Sequence, residues 1–143
     1  FFFLMIRRPP RSTLFPYPPL FRSMVGFANE AADRLAKDGI SCTVIDPRTT
    51  SPLDSATILD CVADTGRLVI VDESSPRCNM ATDVAALVAE EAFDALKAPI
   101  RRVTPPHTPV PFATVLEKLY LPDVGRIEAA VRSVMGYKAR QEA

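Results

Sequence analysis

Glycine is scarce in this chain, with five in 143 residues. None stands in a GxGxxG or P-loop spacing, so no backbone cradle for a nucleotide phosphate is encoded. His107 is the only histidine and no HExxH pair exists. The three cysteines, at 42, 61 and 78, are odd in number and match neither a metal knuckle nor a disulfide framework, which fits a reduced, intracellular setting. Charge of one sign is also lacking: seventeen basic side chains balance seventeen acidic ones. Four of the bases, Arg7, Arg8, Arg11 and Arg22, fall in residues 1–23, so the remaining body is mildly acidic and offers no footprint for nucleic acid or anionic lipid. Neither is expected as a partner, and no run is long and apolar enough for a membrane span.

What is present is organised around residues 67–79, RLVIVDESSPRCN. Leu68, Val69, Ile70 and Val71 form an unbroken aliphatic run between Gly66 and Asp72-Glu73, the pattern of a strand buried on both faces. Such a strand belongs inside a parallel sheet covered by helices, and its neighbours should alternate helix and strand.

Residues 1–23 do not follow that pattern. They hold five of the fourteen prolines and six of the eleven Phe and Tyr residues, with no helical or strand period. They lack the apolar core and cleavage site of a secretory signal. The stretch resembles the peptide made when a sequencing adapter is translated, with a genuine Pro-rich arm as the alternative.

From Met24 order begins. Val25, Ala28, Ala32 and Leu35 predict an amphipathic helix over 24–38, stopped by Gly39. Residues 41–46 read as a strand. Ser51-Pro52-Leu53-Asp54 reads as a helix start capped by the Ser51 hydroxyl, with the helix ending at Gly66. Residues 80–96 predict a second long helix with Val84, Leu87, Val88, Ala92 and Leu96 on one side, and 100–103 a short strand. Four prolines make residues 104–112 a stiff extended loop. A short apolar helix at 113–120 and a final helix opened by Asp123 follow, with Val124, Ile127, Val131 and Val134 inward, and then a polar tail at 138–143. A strand is needed ahead of Met24 for a right-handed crossover, and the foreign-looking segment occupies that place. Leu20 to Ser23 is the stretch nearest the slot.

In open α/β sheets ligands gather beyond the carboxyl ends of the strands. The loops expected there contain seven of the nine prolines found after residue 23, which suits a stiff surface presented to a partner. Asp46 and Asp72 end strands, as the acids of a Mg²⁺-binding receiver domain do, but the last strand is followed by Thr104-Pro105-Pro106 where a receiver needs lysine. His107 stands near no recognised nucleophile motif. The residues alone do not spell a complete active site.

Four runs, GISCTVIDPRTTSPLD at 39–54, TGRLVIVDESSPRC at 65–78, LVAEEAFDALKAPIRRVTPPHTPVPF at 87–112 and LEKLYLPDVGRIEAAV at 116–131, resemble the C-terminal domain of the β subunit of thiamine-diphosphate-dependent 2-oxo acid dehydrogenases. The resemblance covers residues 24–137, and DESSPRC with PPHTPVPF is most similar to the acetoin dehydrogenase branch. It implies a three-layer α/β/α, mostly parallel, doubly wound sheet of the transketolase C-terminal type, with its first central strand lost here. It further implies an enzyme that cleaves a C–C bond oxidatively and passes the acyl group to lipoamide. Thiamine diphosphate and Mg would then be bound outside this chain, by the α subunit and the N-terminal part of β, so no catalytic, cofactor or metal residue is carried over. The implied partners are the α subunit, a second β subunit and the lipoyl acyltransferase core, with this domain serving assembly and docking and inactive alone. Arg77, His107, Pro109 and Phe112 on the stiff loops, and Tyr137 near the chain end, are the candidate interface residues, although KARQEA extends past the family's shorter terminus. The implied location is the cytoplasm, or the mitochondrial matrix. Two alternatives remain: a free-standing α/β domain binding a partner through its Pro-rich loops, and a receiver-like phosphoacceptor at Asp46 or Asp72.

Overall fold

The computed structural model describes residues 2–5, 24–47 and 49–137. Strands β1 (Phe2–Met5), β2 (Thr43–Ile45), β3 (Leu68–Val71) and β4 (Arg101–Val103) form one parallel sheet in the order β2-β1-β3-β4. The chain runs between them through α1 (Met24–Lys37), α2 (Ser55–Thr65) and α3 (Met80–Glu91), and ends in α4 (Thr114–Tyr120) and α5 (Val124–Met135). The doubly wound three-layer architecture expected of the sequence is the one observed.

β3 shows why. All four of its side chains are buried, and they alternate between two cores. Val69 and Val71 pack with Met24, Ala28, Ala31 and Leu35 of α1 and Ile127, Val131 and Val134 of α5. Leu68 and Ile70 pack with Ile58 and Val62 of α2 and Ala81, Val84 and Val88 of α3. A period of two on the strand meets a period of 3.6 on the helices on each face.

The central slot is not empty, which corrects the expectation of a lost strand. Phe2–Met5 lies in it, paired with Thr43–Ile45 on one side and Leu68–Val71 on the other. Leu20 to Ser23 lies outside the described residues. FFLM supplies four consecutive apolar residues without proline, so every ladder N–H is available.

Three local differences have equally plain causes. The α1 stripe is Met24, Ala28, Ala31 and Leu35, with Ala31 rather than Ala32 innermost, because spacings of four, three and four keep one face. The cap of α2 is Asp54, not Ser51: its carboxylate accepts from the Thr57 N–H at 3.2 Å and hydroxyl at 2.7 Å, while Ser51 sits in a turn closed by the Thr50–Leu53 bridge. α3 stops at Glu91, short of Leu96. A single 3₁₀ turn, Phe93–Ala95, follows, and the Lys97 N–H then donates to Gly66 O at 2.7 Å, drawing the chain to the foot of β3. Gly66 itself has φ of 69° and ends α2 in the left-handed conformation expected of it.

Candidate functional site

The carboxyl edge of the sheet is built from the loop after β3 and the loop after β4. Asp72, 5% exposed, begins the first. Its N–H donates to Val103 O at 3.1 Å, and its Oδ1 accepts from the Ser74 N–H at 2.8 Å. Oδ2 is buried without a hydrogen-bond partner among the described residues. Asn79 closes the loop and caps α3: Oδ1 accepts from the Thr82 N–H at 2.9 Å and hydroxyl at 2.8 Å, while Nδ2 donates to Ser75 O at 2.7 Å. Arg102 of β4 reaches across to donate to Pro76 O at 2.9 Å and Thr82 Oγ1 at 2.8 Å. Cys78 takes a left-handed φ of 52° to complete the turn, a conformation costing a non-glycine residue roughly 1–2 kcal/mol.

The Pro-rich loop is held at three points. Arg126 of α5 donates to Thr104 O, the Tyr120 hydroxyl donates to Thr108 O at 3.4 Å, and His107 Nδ1 lies 3.2 Å from Ser75 Oγ, joining this loop to the one after β3. Ser75, His107, Thr108 and Pro109 line a shallow cleft of about 310 Å³ between the loops. Sequence reasoning missed Arg126, Arg102 and Asn79. For Asn79 the signal was legible, an Asn three residues ahead of Thr82 at the start of an apolar-periodic run; for the arginines the carbonyl partners are 22 and 26 residues away.

Past Thr108 the character changes. Val110, Phe112, Val115, Leu116 and Leu119 are 54–105% exposed, and among the residues of α4 only Tyr120 is buried. Arg77, His107, Pro109 and Phe112 are all exposed on this edge, so the structure brings these four candidates together. Tyr137 is not among them. α5 begins beside Thr104 at the carboxyl end of β4 and ends where Arg67, ahead of β3, donates to Val134 O at 3.4 Å. Tyr137, at its end, therefore lies at the opposite edge of the sheet, half exposed.

The Ser75–His107 pair is open to water and serves as a clamp between two loops. Burial pushes the thiols of Cys42 and Cys61 up, Cys61 further through Asp64 and Asp60, which disfavours reactive thiolates. Among the described residues no three His, Cys, Asp or Glu side chains converge to hold a metal ion, and none of the five glycines lies in either loop. Nor is any helix of the described residues long and apolar enough to cross a membrane. These donors do not fit a diphosphate and its metal.

Comparison with known proteins places the domain. Residues 21–127 match the family described as transketolase, C-terminal domain. The chain is 59% identical over 112 residues to the acetoin:2,6-dichlorophenolindophenol oxidoreductase subunit β of Cupriavidus necator, covering 78% of this chain and 33% of that protein. It is 50% identical over 115 residues to the subunit of the same description in Bacillus subtilis, covering 80% and 34%. With the mitochondrial pyruvate dehydrogenase E1 subunit β-1 of Arabidopsis thaliana it shares 44% over 110 residues, covering 77% and 30%. This chain thus spans about a third of the length of these relatives. A solved structure described as a split gene transketolase, inactive β4 tetramer, superposes with a TM-score of 0.70 at 22% identity, covering 94% of this chain and 37% of that one. The chain belongs to the transketolase C-terminal domain family.

Proposed function

We propose that residues 24–137 are the C-terminal domain of the β subunit of a thiamine-diphosphate-dependent acetoin or 2-oxo acid dehydrogenase, serving assembly and docking, with residues 1–23 foreign in origin even though Phe2–Met5 fills the central slot of the sheet, and 138–143 a tail. The observation that carries this is 59% identity across the domain to a subunit whose name gives acetoin and 2,6-dichlorophenolindophenol as reactants. Supporting it is a carboxyl edge whose loops are stiffened by proline and braced by Arg102, Arg126 and His107, yet end in exposed apolar side chains. Thiamine diphosphate and Mg belong on this reading to the α subunit and the N-terminal part of β. The partners are α, a second β and the lipoyl acyltransferase core, with Arg77, His107, Pro109 and Phe112 at one contact and Tyr137, at the far edge, at another. The cytoplasm is the location on this reading, supported by likeness to bacterial subunits, with the mitochondrial matrix second because a plant relative is named as mitochondrial. Alone, the chain turns nothing over.

A chimera tests this. Residues 24–137 replace the matching third of the Cupriavidus necator subunit, which is co-expressed with its α partner. The expected result is an assembled complex that reduces 2,6-dichlorophenolindophenol with acetoin. A chimera that folds but does not assemble overturns the proposal.

A further inference from the structure

We infer that the central slot of the sheet, between β2 and β3, is a strand-acceptor site that takes an extended, proline-free, all-apolar segment of another polypeptide in place of Phe2–Met5. Both walls offer a ladder to one parallel strand, Thr43–Ile45 on one side and Leu68–Val71 on the other, with Phe2 opposite Thr43 and Leu68. An interior slot left empty strands two rows of backbone N–H and C=O groups away from water, so an occupant is required. The present occupant is loosely connected. Residues 6–23 separate β1 from α1, whereas 46–54 join β2 to α2 and 72–79 join β3 to α3. Eighteen residues stand where nine and eight serve the neighbouring strands, so the tether holds β1 to its slot less closely, and a strand on a separate chain competes on better terms.

Asp72 adds an independent mark. It follows Val71, the residue paired with Met5, and so stands at the carboxyl mouth of the slot. It is 5% exposed, and its Oδ2 has no hydrogen-bond partner among the described residues; a buried carboxylate oxygen in that condition calls for a donor. The walls define the rest of the ligand. Val69 and Val71 face the core under α1 and α5, and Leu68 and Ile70 face the core under α2 and α3, so the side chains of a strand in the same register enter an apolar layer on either face. The ligand is therefore apolar at four consecutive positions and lacks proline, because its two ladders use its N–H groups. Just past those positions it carries an N–H or hydroxyl for Asp72. The site is the same whichever enzyme the domain belongs to.

Peptide capture by the full chain reads the outcome. In Leu4→Pro the chain's own strand loses a ladder N–H, and the thermal midpoint should fall by on the order of 10 °C. A synthetic peptide of residues 1–8, FFFLMIRR, should restore the midpoint and, carrying a fluorophore, bind one to one; the same peptide with proline at its fourth position should do neither. Leu4→Gly, which weakens the strand and keeps its N–H, should show smaller forms of both effects. The wild type should bind the labelled peptide at least about tenfold more weakly than Leu4→Pro, because its own strand competes. Variants that melt like the wild type, variants left unrescued by saturating peptide, a proline peptide that binds as well, or a wild type that binds as tightly as Leu4→Pro would each overturn the inference.

Discussion

The α1–α5 face and the α4 edge solve opposite problems with similar residues. On the first, Ala28, Ala31, Leu35, Ile127, Val131 and Val134 are buried to within 1%, and the outer surface carries ion pairs: Arg34 to Glu30 at 2.7 Å and to Glu128 at 3.4 Å, and Arg132 to Asp38. On the second, the aliphatic residues point outward and a single tyrosine anchors the helix. A helix whose apolar face is covered and whose polar face is charged is finished in water. α4 leaves its apolar side chains in solvent, and on the proposed reading that difference marks where a partner covers it.

Breaking the core should show the largest effect. Ile127→Ala removes a fully buried side chain shared by α5, α1 and β3 and should cost about 2–5 kcal/mol, measured as a lower urea midpoint; Leu119→Ala should change stability by less than about 0.5 kcal/mol. Arg126→Ala should lie between them. It deletes a charged donor to Thr104 O, a loss of roughly 1.5–3 kcal/mol, and should raise hydrogen exchange in residues 104–112 before elsewhere. Asn79→Ala should cost about 1 kcal/mol through the lost α3 cap, with the loop after β3 loosening because Ser75 O loses its donor. The smallest expected effect is on pH dependence. The Thr57 hydroxyl and N–H lower the Asp54 carboxyl below its ordinary value of 3.8. A depressed folded value means this contribution is complete above the unfolded value and is lost as pH falls through the folded one. Asp54→Asn should therefore flatten the acid limb of the stability curve slightly, read by thermal melts between pH 5 and 2.

Most of this architecture was legible in the chain. The LVIV run identified the buried strand because burial on two faces leaves no polar alternation, and Gly39 and Gly66 marked helix ends because left-handed residues there favour glycine. What was not legible depended on distance. The central strand, Phe2–Met5, is separated from its partners at 43–45 and 68–71 by dozens of residues, and a four-residue apolar run carries no address. After α3 ends at Glu91, the course of the chain through Lys97 is tied by a hydrogen bond to Gly66, again a contact outside any helical period. In the site, the proline content of residues 104–112 announced a stiff surface, but the clamp of His107 on Ser75 and the braces from Arg102 and Arg126 join elements 20 to 32 residues apart. Tyr137 was read as a contact at the chain end, apart from the loops, but that it lies at the opposite edge of the sheet depends on the direction of α5.

The most direct test of the docking account is to footprint Phe112, Val115 and Leu119 by photochemical labelling, in the dilute chain alone and in the chimera assembled with its α partner. The account predicts strong labelling of all three in the free chain and a severalfold fall on assembly, with Phe93 as an internal reference. Equal labelling in both states would contradict it, because an apolar edge left bare in the complete enzyme cannot be the surface that holds the enzyme together.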